Sequence, residues 1–269
     1  MNPSTTPSNT PHFFKTFLAL LGLGLLGVFS LVPMILGQLD GLPPELAEMP
    51  PALLVVISML NPLILLVISI LVGNLLAHRV GLRSLVAEKV SNGASLWPQL
   101  RPSIPMAFGL GILFSLVVLG LDQLMNPFKG TDLVVEPTTL AGLFSQLLMG
   151  ILYGGITEEL LLRWGVMSLL VWIGWRVFQR GTGQAHSVLV WSAIILAAAL
   201  FGVAHLPAMA SLVELTPLII FRTILLNALG GLLFGWLYWR HNLEAAMVAH
   251  AAGHVGFFII NLGVFLFAS

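Results

Sequence analysis

The chain contains no cysteine, which excludes disulfides, thiolate nucleophiles and cysteine-ligated zinc. Charge is also scarce. Eleven basic and eleven acidic residues make up 8% of 269 residues, with a formal net charge of zero, whereas soluble domains run at about 25% charged. That balance gives no reason to propose a nucleic-acid partner. The His-Glu-x-x-His helix of zinc proteases is missing, and no internal repeat organises the chain. Apolar residues fill it instead, at 58% with a mean hydropathy of +1.00. These values predict an all-α fold, a polytopic transmembrane helical bundle of about seven to eight spans.

A run of about 20 apolar residues crosses the hydrocarbon core of a bilayer. Seven such runs are predicted, at 13–36, 51–76, 105–125, 139–173, 188–209, 217–238 and 244–267. The fourth is longer than one crossing needs, and Gly154-Gly155 is expected to break it, leaving room for an eighth short or re-entrant segment. Residues 1–12, polar and rich in Pro, Ser and Thr, are expected to form a disordered leader. The run that follows is too long for the core of a cleaved signal peptide, so it is taken as a retained first span.

Loop charge sets the orientation. Loop 77–104 carries Arg79, Arg83, Lys89 and Arg101 against Glu88. Loops 174–187 and 239–243 carry Arg176, Arg180 and Arg240. The alternate loops hold Asp40, Glu45 and Glu48, then Lys129, Asp132 and Glu136, then Glu214. The expected placement is a multi-pass protein of the plasma membrane with its amino terminus cytoplasmic, membrane lipid surrounding it, and part of loop 77–104 flat on the cytoplasmic surface.

Within the apolar runs the ionisable residues are few. Asp122 and Arg222 lie near span ends, where they are expected to snorkel. The remainder are Glu158, Glu159, Arg163, His205, His250 and His254. A charged side chain at membrane depth costs roughly 2.5–3.5 kcal/mol even on lenient insertion scales, so three within Glu158–Arg163 need a reason. Glu159 and Arg163 are i and i+4 on a helix and share a face; Glu158 is expected to point about 100° away, free for reaction. His250 and His254 repeat the i, i+4 spacing. His205 precedes Pro207, which can kink its helix. Each group also has a plain reading: a structural ion pair, a helix-capping histidine, and polar glue between helices. Taken together, the plain readings require three unrelated reasons for buried polarity on three helices. Loop charges put His205 towards the outer end of its span and His250 towards the inner end of its own. The two meet only if span five starts late, near residue 192.

The pattern Glu158-Glu159-x-x-x-Arg163, Phe201-x-x-x-His205, His250-x-x-x-His254, with the Gly-rich segment from Gly231 to Arg240 before the last, resembles the CAAX protease and bacteriocin-processing (CPBP) family of intramembrane proteases, which includes prenyl-protein endopeptidases. The resemblance covers roughly residues 140–260; His254 stands where relatives often carry Asn. It implies a division into amino-terminal helices with a cytoplasmic loop (13–136) and a catalytic helical core (137–269). It further implies an endopeptidase acting on membrane-associated or lipidated proteins or peptides, with Glu158, Glu159, Arg163, His205, His250 and His254 as catalytic residues. In that reading Glu158 is the general base for a water, because a desolvated carboxylate suits proton transfer near neutral pH. Glu159 with Arg163 holds the local field, and His205 orients the water. Two versions stand open. In the metal-free one, which is preferred, His250 and His254 donate to the oxyanion. In the other, zinc is bound by candidates among His205, His250, His254 and Glu158 and lowers the pKa of its water.

Three other classes bury similar residues. A proton-coupled transporter would show inverted repeats, which this chain lacks. A bis-histidine haem protein would absorb visible light. A catalytically silent scaffold or immunity protein of the same fold would share the motifs. Substrate identity and oligomeric state leave no trace in the sequence.

Overall fold

In the computed structural model, residues 10–39, 48–129 and 139–267 are described. The expected leader falls largely outside them, as do Asp40, Glu45, Asp132 and Glu136 of the acidic loops. Every described element is helical. They run α1 (Thr10–Ser30), α2 (Val32–Gly37), α3 (Pro51–Leu76), α4 (Leu85–Asn92), α5 (Leu96–Leu100), α6 (Ile104–Met125), α7 (Leu140–Phe178), α8 (Ser187–Ala204), α9 (Leu206–Ala210), α10 (Pro217–Arg240) and α11 (Leu243–Phe267).

Seven of the helical stretches are long and apolar enough to cross a membrane, and their bounds match the hydropathy runs to within a few residues. The first begins by Thr10, so residues 10–12 are helical and do not belong to the leader. Large apolar side chains such as Ile57, Ile64 and Ile68 on α3, or Leu113 and Leu116 on α6, face outward. In water such an exterior would be untenable; in lipid it is the solvated face. The chain is an integral membrane protein.

The fourth span departs from expectation. Gly154-Gly155 does not break it, and no eighth segment forms there: α7 is one helix of 39 residues. These glycines act as contact surfaces. A Cβ on Gly150 or Gly154 would run into the ring of His254, and one on Gly155 would press on Ala251. Small residues let two backbones approach in a medium that offers no hydrophobic drive between helices, and here they seat α11 directly on α7. Thr157 ties the same helix to α1, its hydroxyl donating to the Gly24 carbonyl at 2.8 Å.

α11 is fixed at its start as well. Asn242 Oδ1 accepts from the Ala245 N–H at 2.8 Å. The buried Glu244 carboxylate accepts from Ser84 Oγ and from the Leu85 and Val86 N–H groups at 2.7–3.0 Å. A carboxylate at the first turn of α4 satisfies donors that the helix cannot bond internally. It thereby clips the basic loop to the base of α11.

A candidate active site between α7, α8, α10 and α11

From Gly150 to Glu158 and again from Leu160 to Met167, α7 is wound as a π-helix. Its hydrogen bonds span five residues, and such stretches recur at functional sites. A wider turn rotates each residue by less than the roughly 100° of an α-helix. Both glutamates reach the same partner. Glu159 Oε1 lies 2.8 Å from His250 Nδ1, and Glu158 Oε2 lies 3.8 Å from His250 Nε2. The two carboxylates bracket one ring, Glu159 at Nδ1 and Glu158 at Nε2, with Glu158 on the cavity side.

Glu159 and Arg163 do pair as the i, i+4 spacing predicts, with Oε2 and Nε 3.2 Å apart and side chains 0% and 2% exposed. Both guanidinium Nη atoms lack a hydrogen-bond partner among the described residues. Aromatic faces take their place. The Arg163 Cζ sits 5.0 Å from the Phe201 ring centre and 5.4 Å from that of Phe234. A desolvated cation over an aromatic face gains about 2 kcal/mol, which offsets part of the cost of burial. Phe234 also stacks on His250, ring centres 4.4 Å apart.

His205 caps α8 where the chain turns into α9 with Pro207 in its first turn. Span five begins at Ser187, so the late start near 192 is not how His205 meets His250. The ring is instead drawn back along the helix by a bond from Nδ1–H to the Phe201 carbonyl, 2.8 Å, four residues earlier. A carbonyl only accepts, so the proton is on Nδ1, and Nε2 presents a lone pair. That Nε2 faces Glu158 Oε1 at 3.7 Å. Phe201 thus serves both ends of the site, through its ring to Arg163 and through its carbonyl to His205.

His254 stacks on His250 with ring centres 5.2 Å apart and occupies the space that Gly150 and Gly154 leave open. A cavity of about 310 Å³ lies among these groups, walled by Glu158, His205, His250 and His254 together with Tyr153 and Asn227. Glu158 is 15% exposed along this wall, while Glu159 is sealed behind it. Among the described residues no group of three or more His, Asp or Glu side chains is placed to hold a metal ion.

Arg222 and Asp122 also behave differently from expectation. They do not snorkel separately; Arg222 Nε donates to Asp122 Oδ1 at 2.7 Å, joining α10 to α6, and Arg222 lines the same cavity. The pairing was invisible in the sequence because 100 residues separate the partners. Phe234 had no signal beyond its place in a Gly-rich segment.

No curated protein and no solved structure matches this chain. A family model does match, described as type II CAAX prenyl endopeptidase Rce1-like, over residues 138–255. That stretch contains both glutamates, Arg163, the two phenylalanines and all three histidines of the cluster. Residues 138–255 therefore match an Rce1-like domain of the CPBP protease family.

Proposed function

We propose that this protein is an intramembrane endopeptidase that hydrolyses peptide bonds of membrane-associated or lipidated proteins or peptides with a water activated by Glu158. The observation that carries the reading is a convergence of acceptors. Two carboxylate oxygens of Glu158 face two imidazole Nε2 atoms at 3.7 and 3.8 Å. His205 directs its proton to Phe201, and His250 directs its own to Glu159, which is paired with Arg163. Three facing acceptors need a donor between them, and water is the donor that fits. A water held there by O–H bonds to Glu158 and one imidazole presents its oxygen lone pair to the cavity.

In the proposed reaction Glu158 takes a proton from this water as the oxygen attacks the scissile carbonyl carbon. The resulting oxyanion accepts from His254, which shares the cavity wall. A donor of this kind lowers a barrier by roughly 2.7–4 kcal/mol. Collapse breaks the C–N bond, and the proton on Glu158 passes to the departing amine. Glu159 bonds Nδ1 of His250 and so fixes that ring, much as a buried carboxylate orients the histidine of a hydrolytic triad. Zinc takes no part in this scheme. The protein is placed in the plasma membrane with its amino terminus cytoplasmic, on the strength of the basic even-numbered loops.

The test compares peptides in native membranes of cells carrying the wild type or Glu158→Ala. Fragments present only with the wild type are the expected result; identical peptide populations would refute the protease reading. The same cleavage is then followed after exhaustive chelation. Full retention of rate is expected, whereas loss that zinc restores would replace the metal-free mechanism by the zinc-dependent one.

A further inference from the structure

A second cavity, of about 760 Å³, shares no lining residue with the site around Glu158. It opens between the start of α1 and the end of the second span, at His12, His78 and Arg79. These residues lie at the limits of the spans His12–Gly37 and Pro51–Val80, the level of lipid headgroups. Phe13, Leu75 and Leu82 give it an apolar wall, the paired Arg83 and Glu88 stand on another side, and Asn74 and Trp164 also line it.

Two features point to an occupant. Asn74 Oδ1 accepts from Trp164 Nε1–H at 3.1 Å; indole only donates, so this bond fixes which way the amide faces. The amide Nδ2 is then a buried donor with no partner among the described residues, a state that costs about 1–3 kcal/mol unless something accepts from it. The second feature is charge. Arg83 is committed to Glu88 and Gln99, but Arg79 is exposed and makes no ion pair or hydrogen bond among the described residues. An uncommitted guanidinium beside two imidazoles, above an apolar slot, matches a phosphate diester carrying acyl chains.

We propose that this groove is a binding site for an anionic phospholipid. Arg79 takes the phosphate by charge-assisted hydrogen bonds, Asn74 donates to an oxygen of the glycerol ester region, and an acyl chain lies along Phe13, Leu75 and Leu82. Basic pockets between transmembrane helices bind acidic headgroups on this principle. The assignment is independent of the proteolytic reading.

Delipidated protein in detergent is titrated with phosphatidylglycerol, phosphatidylcholine or inorganic phosphate, with native mass spectrometry and thermal unfolding as readouts. Phosphatidylglycerol is expected to bind in one-to-one complexes and raise the melting temperature, with phosphatidylcholine at least tenfold weaker. Arg79→Ala should weaken phosphatidylglycerol binding about tenfold, and Arg79→Glu should abolish it. The surface position of Arg79 leaves the melting temperature without lipid unchanged in both variants. Equal binding of the two lipids would overturn the proposal, as would undiminished phosphatidylglycerol binding by Arg79→Glu. A stabilisation by inorganic phosphate equal to that by the lipid would also overturn it, since the site would then recognise a soluble anion. The comparison of lipids on the wild type needs no variant to fold.

Discussion

Glu158→Gln is expected to lower cleavage by about 10²–10⁴-fold, the contribution of a positioned general base, while leaving the protein folded. The amide keeps the shape of the carboxylate, so the cavity wall and the π-helical winding around it are preserved. What changes is the proton balance. A carboxylate accepts from water with both oxygens, whereas an amide has one acceptor and two donors. The amide N–H groups would fill the lone pairs of His205 and His250 that otherwise hold the water. Glu158 is partly exposed to the cavity, and the imidazoles of His205 and His250 face it beyond ordinary hydrogen-bond distance. Its replacement therefore strands no buried charge. Thermal unfolding in detergent should move by less than about 1 kcal/mol equivalent. Cleavage by the purified variant at more than about a tenth of the wild-type rate would remove Glu158 from the role of base.

Glu159→Ala has the opposite profile. Its carboxylate is fully buried, pairs with Arg163 on one oxygen and accepts from His250 on the other. Removing it leaves a buried guanidinium without its ion pair, beside the ring faces of Phe201 and Phe234. Breaking a buried pair from one side costs about 3–5 kcal/mol, and the His250 Nδ1–H loses its acceptor as well. The expected outcome is low yield, a clear fall in melting temperature and loss of cleavage together. The double variant Glu159→Gln with Arg163→Met separates the effects. It removes both charges and leaves His250 an amide oxygen, so it should recover much of the stability, as apolar replacement of a whole buried pair commonly does. It should not recover cleavage, because the ring of His250 is no longer held by a charged partner. Wild-type expression and melting of Glu159→Ala would contradict the account.

The contrast between these neighbours shows how one residue of offset divides chemistry from structure. They are adjacent on α7, yet one lines the cavity and the other is sealed behind it. The sequence separates them only through the i+4 partner of Glu159. It cannot say that both would reach the same imidazole, because that depends on how α11 packs against α7. Gly154-Gly155 illustrates the same limit. A pair of glycines within an apolar run reads equally well as a break or as a contact surface. The ring of His254 pressed against α7 from α11 decides for contact.

Composition alone determined that the chain crosses a membrane several times, since only runs of apolar residues near 20 long can leave the backbone self-satisfied in lipid. Local spacing determined the Glu159–Arg163 pair and singled out the ionisable residues that needed a polar interior. The tertiary structure decided the rest. It placed Phe201 and Phe234 against Arg163, turned His205 back towards Glu158, joined Arg222 to Asp122 and clipped α4 with Glu244. These contacts connect residues tens to more than a hundred positions apart, where no periodicity links the partners. Only the packing of one helix on another brings them within bonding distance.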